Sequence, residues 1–68
     1  MMVKISINGE ERELNAGITV LGMVESLGLE LDKIAIEKNR EIVPRSTFAK
    51  AAIADGDKIE IIQFVGGG

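Results

Sequence analysis

The stretch VKISINGE, residues 3–10, places apolar side chains at every second position and then turns at Asn-Gly. A period of two is typical of a strand with one buried face. Asn8-Gly9 readily takes positive φ at both central positions of a two-residue hairpin turn. The return strand, residues 10–14, is polar except at its end, as expected of an edge strand. The sequence therefore predicts a β-hairpin at the start of the fold.

The period changes to that of a helix after the hairpin. Its apolar stripe consists of Val20, Met23, Val24 and Leu27. Thr19 is expected to cap the start of the helix. Gly28 is expected to end it as a residue in the left-handed conformation, and Leu29 to make the hydrophobic contact that often accompanies such an end. We interpret Gly22 as a close approach between helix and sheet, because glycine inside a helix costs about 1 kcal/mol relative to alanine.

Two more strands are predicted beyond the helix. Residues 33–37 alternate again, with Ile34 and Ile36 inward, and the polar stretch 38–41 forms a turn. Ile42 and Val43 form a short strand, which Pro44 stops because proline lacks the N–H that a sheet ladder needs.

The remaining residues complete the sheet. Ser46 is expected to cap a single helical turn that runs through Phe48 and Ala49. An Asp-Gly-Asp turn at 55–57 precedes the last strand, residues 58–65, whose apolar composition indicates a central position. This order of elements predicts an α+β fold with a mixed sheet of four to five strands and one main helix across one face. The domain is expected to span residues 1–65, with residues 66–68 as a flexible glycine tail.

Composition excludes several classes of function. The 68 residues carry 11 acidic and 8 basic side chains, a net charge of -3, so we expect no basic face for nucleic acid. The absence of Cys and His excludes thiolate chemistry, disulfides, zinc fingers and imidazole catalysis. No run of about 18 apolar residues and no signal-peptide pattern is present, so we expect no membrane contact and a cytoplasmic location.

No metal, nucleotide or catalytic site is expected within the chain. The turn at 55–57 lacks the further ligands of a calcium loop, and the glycines at 66–68 are not followed by the Lys-Ser/Thr and helix of a phosphate loop. Lys38, Arg40 and Arg45 are interrupted by glutamates, which favours a solvated turn over an anion site. No nucleophile, base and orienting group can be assembled, so we expect neither enzyme activity nor a bound cofactor.

The terminal carboxyl group of Gly68 is the remaining candidate for chemistry. A carboxylate becomes a good electrophile only when its oxygen is attached to a leaving group, so this step needs ATP and a second protein. Gly66 and Gly67 carry no Cβ and suit a tunnel that is too narrow for side chains. We therefore predict that the tail threads into the active site of a partner and that Gly68 is modified there.

The last strand also contains a candidate docking patch. If Ile59 and Ile61 point inward, then Ile62 and Phe64 point to the face that the helix does not cover. The alternative is a β-bulge at Ile61-Ile62 that turns these side chains into the core. The sequence leaves both possibilities open.

Residues 3–68 resemble the ThiS family, the small sulfur carriers of thiamine biosynthesis, which have the β-grasp or ubiquitin-like fold. The motifs that carry the resemblance are Asn39 followed by IVPR at 42–45, DGDKIEI at 55–61 and FVGGG at 64–68. The Gly-Gly end alone is shared with ubiquitin and with the small subunit of molybdopterin synthase. The Val-Pro-Arg tripeptide and the short length favour the thiazole branch.

The resemblance implies a cycle of reactions at Gly68. An E1-like adenylating enzyme uses ATP to join the Gly68 carboxylate to AMP, and a persulfide sulfur supplied by a cysteine desulfurase displaces the AMP. Thiazole synthase then takes sulfur from the resulting thiocarboxylate. Gly67 completes the diglycine, Gly66 extends the tail, and the free carrier is expected to be a monomer.

Two alternatives remain. One is a molybdopterin-synthase small subunit or a ubiquitin-like modifier, which has similar activation chemistry but a different acceptor. A noncovalent β-grasp module, for example one that binds RNA, belongs to a different class, and the acidic composition argues against it.

Overall fold

The structure, a computed structural model, describes residues 1–64 of the chain. Its elements are β1 (Met2–Ile7), β2 (Glu10–Asn15), α1 (Val20–Ser26), β3 (Ile34–Lys38), β4 (Glu41–Ile42) and β5 (Lys58–Gln63), with short 3-10 helices at Leu31–Lys33 and Arg45–Thr47. The strands form one sheet in the order β2-β1-β5-β3-β4. β1 and β5 are parallel and the other neighbours are antiparallel, so the predicted mixed sheet with one main helix is confirmed.

The predicted hairpin is present. Asn8 and Gly9 have φ of 51° and 85°, and Ile7 pairs with Glu10 across the two-residue turn. Among residues 1–64, β2 pairs with β1 alone, which confirms the edge position that its charged residues indicate.

Helix α1 has the predicted ends. The Thr19 hydroxyl oxygen accepts a hydrogen bond from the Gly22 N–H at 3.1 Å. At the other end Gly28 has φ of 71° and donates to the Glu25 carbonyl, while Leu29 donates to the Val24 carbonyl. These two bonds form a Schellman motif, in which the left-handed glycine satisfies the last helical carbonyls.

Two predictions about local packing are wrong. A Cβ at Gly22 would lie 2.9 Å from Cγ1 of Ile18 and not against the sheet, so the glycine makes room for the residue just before the helix. The turn near Ser46 is a 3-10 helix whose N-cap is Pro44, without a side-chain cap. Proline already has the φ of a helix start, and the Thr47 hydroxyl donates to the Pro44 carbonyl at 2.8 Å.

β5 lies at the centre of the sheet, as its composition predicts. The expected strand, residues 58–65, extends beyond the observed one: β5 ends at Gln63, Phe64 follows it, and Val65 lies outside the described residues. Residues 66–68 also lie outside the described part, so the predicted division between domain and tail remains a prediction.

The core lies between α1 and one face of the sheet. Its buried residues are Ile5, Ile7, Val20, Met23, Val24, Ile34, Ile36, Phe48, Ile53 and Ile59. Strand and helix periodicity accounts for most of them, and Phe48 and Ile53 add side chains from the connection between β4 and β5. Among residues 1–64, no helix is long and apolar enough to cross a membrane.

Candidate docking surface at the end of β5

β5 has an unbroken register with β3, and this decides where its apolar side chains point. Five consecutive pairs run from Ile34 with Gln63 to Lys38 with Ile59, so the alternative of a β-bulge at Ile61-Ile62 is wrong. Ile59 faces α1 and is fully buried. Ile62 therefore faces the opposite side of the sheet, which we call the open face.

Ile62 and Phe64 are both exposed. Their exposed fractions are 48% for Ile62 and 57% for Phe64. The alternative that a β-bulge turns Ile62 and Phe64 into the core is therefore excluded. Both side chains are accessible to a partner, as the predicted docking patch requires. Exposed aromatic and aliphatic side chains close together are typical of interaction surfaces.

Ile42 enlarges this exposed surface, although sequence reasoning assigned it no function. It is 74% exposed and pairs with Glu37, while Ala35 pairs with Ile62 on the neighbouring strands. Directly paired residues share one face of a sheet, so these apolar side chains lie on the open face together. A shallow cavity of about 180 Å³ places Phe64 near Ile42 and Ala35 at the edge of the sheet; the core residues Ile34, Ile36 and Phe48 also line it, and Ile62 does not. We call Ala35, Ile42, Ile62 and Phe64 the apolar corner.

The end of β5 is attached to the sheet close to the apolar corner. The Phe64 N–H donates to the Lys33 carbonyl at 2.9 Å. The Arg45 guanidinium donates to the Ile34 carbonyl at 3.3 Å, which ties the segment after Pro44 to the start of β3. The chain toward Gly66, Gly67 and Gly68 thus leaves the described structure beside the apolar corner.

The other polar candidates serve the fold. The Asp55 carboxylate accepts from the Lys4 N–H at 2.7 Å, and Asp57 accepts from the Ala54 N–H at 2.8 Å, which confirms the turn at 55–57. The Lys38 ammonium donates to the Ala52 carbonyl at 3.1 Å. Within the described part of the chain, no group of three or more acidic side chains is placed to hold a metal ion.

Comparison with known proteins gives one consistent family. The family model described as ThiS family matches residues 5–68. A protein named thiazole synthase from Paramagnetospirillum magneticum is 50% identical over 66 residues, which are 97% of this chain and 20% of that protein. The chain thus spans about a fifth of the length of this relative.

Shorter relatives are matched over their full length. The protein named sulfur carrier protein ThiS from Escherichia coli is 33% identical over 97% of this chain and 100% of its own. The crystal structure of the thiamine biosynthesis protein (ThiS) from Geobacter metallireducens superposes with a TM-score of 0.84 at 25% identity. That similarity covers 97% of this chain and all of the other, and it confirms the expected β-grasp fold.

Proposed function

The chain belongs to the ThiS family, and on that premise we propose that it is a sulfur carrier in thiamine biosynthesis whose sulfur is attached at Gly68. The observation that supports this most is the match to a named sulfur carrier over that protein's whole length. The family match extends to residue 68, so Gly66, Gly67 and Gly68 lie within the matched region. The proposal requires the carboxyl group of Gly68 to be free in the mature protein.

The proposed chemistry proceeds in three steps. The Gly68 carboxylate attacks the α-phosphorus of ATP in an E1-like adenylating enzyme, forms an acyl adenylate and releases pyrophosphate. The terminal sulfur of a persulfide, made by a cysteine desulfurase, attacks the acyl carbon and expels AMP. A thiol then cleaves the S–S bond of the acyl disulfide, which leaves the thiocarboxylate on Gly68 and a disulfide as the oxidised product.

The apolar corner is the proposed docking surface for the adenylating enzyme. Ile62 and Phe64 are exposed, and Gly68 is four residues after Phe64 in the sequence. If the adenylating enzyme covers Ile62 and Phe64, Gly68 therefore lies close to the surface of that enzyme. Four residues after Phe64 span at most about 13 to 14 Å when extended, which limits how far the active site can lie from this surface. In this proposal the adenylating enzyme binds ATP, and this chain is a co-substrate of that enzyme.

Thiazole synthase is the proposed acceptor of the sulfur. Two relatives with this name contain a segment similar to this chain, which supports a physical association between carrier and acceptor. The same observation favours the thiazole branch over a molybdopterin-synthase subunit. The free carrier is proposed to be a monomer without a bound metal or cofactor.

Pyrophosphate exchange tests the adenylation step. The chain is incubated with the adenylating enzyme, ATP and labelled pyrophosphate, and label incorporated into ATP is measured. We expect exchange that depends on the chain, because formation of the acyl adenylate is reversible. A chain that lacks residues 66–68, and with them the diglycine end, is the matched control and should support none. Equal exchange with both chains, or none with the complete chain and an active enzyme, would contradict the proposal.

A further inference from the structure

β1 ends before β5 does, so within residues 1–64 the last part of β5 has no neighbouring strand on that side. The two strands pair only through Ser6 with Lys58 and Ile7 with Ile59. β1 stops at Ile7 because the hairpin turn begins at Asn8, with φ of 51°. β5 continues to Gln63, and over those residues β3 is its only neighbouring strand in the described structure.

The side chain of Asn8 occupies the position that the next residue of β1 would take. Its Oδ1 accepts from the Ile61 N–H at 2.8 Å, and its Nδ2 donates to the Ile61 carbonyl at 3.2 Å. A primary carboxamide has an acceptor oxygen and one N–H donor that point to the same side, so it can pair with both the N–H and the carbonyl of one strand residue. The backbone N–H of Asn8 also donates to the Ile59 carbonyl at 2.9 Å.

We propose that Asn8 is a positioning residue, whose side-chain amide replaces a residue of β1, holds β5 at Ile61 and fixes the direction in which the chain leaves the sheet toward Gly68. Ile61 lies three residues before Phe64, in the segment that joins the central strand to the reactive end. Without the amide, the end of β5 is held from the β3 side alone. The reactive part of this inference rests on the proposed function at Gly68.

The chain contains a matched control for Asn8. Asn39 is also left-handed, with φ of 53°, and its Oδ1 accepts from the Lys58 N–H at 2.9 Å. Its Nδ2 donates to the Asp57 carboxylate at 3.0 Å. Asn39 therefore holds the start of β5 as Asn8 holds its later part. Glycine tolerates positive φ, so Asn8→Gly and Asn39→Gly each remove a side-chain amide without introducing backbone strain.

The first measurement is amide hydrogen exchange on the complete chain alone. Asn8→Gly should accelerate exchange at Ile61 by about tenfold or more, and Asn39→Gly should do so at Lys58 instead, because each amide proton loses its acceptor. Equal protection of Ile61 in the wild-type chain and in Asn8→Gly would overturn the inference. This measurement needs no partner, so it remains decisive even if no adenylation is found.

The second measurement separates positioning from stability. In the pyrophosphate-exchange assay, Asn8→Gly should raise KM for the chain about fivefold with kcat within twofold, because binding must first order the end of β5. Asn39→Gly should leave KM within twofold at a similar loss of stability. Equal KM values for the two variants would overturn the positioning role.

Asn8→Asp replaces Asn8→Gly if the glycine variant does not fold. Aspartate keeps the acceptor for the Ile61 N–H but loses the donor to the Ile61 carbonyl, so KM for the chain should again rise. An unchanged KM would contradict the positioning role.

Discussion

Phe64 is one of only two aromatic residues in the chain, and the two have opposite environments. Phe48 is buried in the core with 3% exposure, whereas Phe64 is 57% exposed beside Ile62 and Ile42. An exposed aromatic next to two exposed aliphatic side chains adds little to folding, because water still reaches most of its surface. The exposure of these side chains supports the proposal that the apolar corner is a docking surface.

Replacing Phe64 should separate binding from folding. Phe64→Ser is expected to weaken binding to the adenylating enzyme by about 2 kcal/mol or more, roughly thirtyfold in Kd, as truncation of a central interface aromatic commonly does. The free energy of unfolding should change by no more than about 0.5 kcal/mol. Titration calorimetry with the partner and thermal denaturation of the free chain measure the two quantities.

Met2→Ser is the matched control for Phe64→Ser. Met2 is 53% exposed but lies on β1, away from the tail, so its loss should leave partner binding unchanged. A collapse in Tm for Phe64→Ser, or equal binding losses for both variants, would show that the apolar corner is not the docking surface.

At the scale of elements, α1 depends on its ends as well as on its packing. It has only seven residues, shorter than an isolated helix needs for stability in water, and it buries Val20, Met23 and Val24. The Thr19 cap and the Gly28 Schellman motif satisfy backbone groups that so short a helix cannot pair internally.

The helix cap gives a prediction with an internal comparison. Thr19→Ala should lower the free energy of unfolding by about 1 kcal/mol, because it leaves the Gly22 N–H without its side-chain acceptor. This corresponds to about 4 to 8 °C in Tm for a domain of this size. Ser46→Ala should change stability by less than about 0.5 kcal/mol, because Ser46 caps nothing. Denaturant unfolding of both variants is the measurement, and equal losses would contradict this assignment of caps.

Local sequence predicts the elements well and their contacts poorly. Alternation and helical spacing locate each main element within a residue or two, because burial of one face determines both patterns. The exposure of Ile42 depends on the register of the two-residue β4 with β3, and so short a strand shows no alternation. Likewise Asn8 is visible in the sequence only as a turn residue, since its partner Ile61 is 53 positions away.

At the scale of the whole molecule, the described core lies well before the proposed reactive end in the chain. Among residues 1–64, the last buried core residue in chain order is Ile59, and β5 ends at Gln63. On the proposed function, the chemistry at Gly68 involves none of these core residues, and the fold presents the end of the chain to a partner.

Removal of residues 66–68 tests this separation. The shortened chain should keep the Tm of the unshortened chain within about 2 °C, because the three glycines carry no side chain to bury in a core. It should also keep binding through the apolar corner while losing adenylation. A large fall in Tm would show that the glycines belong to the folded domain, contrary to the predicted boundary after residue 65.

The intact mass of the protein tests sulfur carriage most directly. The complete chain is incubated with the adenylating enzyme, ATP, cysteine, a cysteine desulfurase and a thiol, and its mass is measured before and after. We expect an increase equal to the difference between one sulfur and one oxygen atom, located at Gly68 by fragmentation and dependent on ATP. An unchanged mass with partners that convert another carrier, or the same increase in a chain without residues 66–68, would contradict sulfur carriage at Gly68.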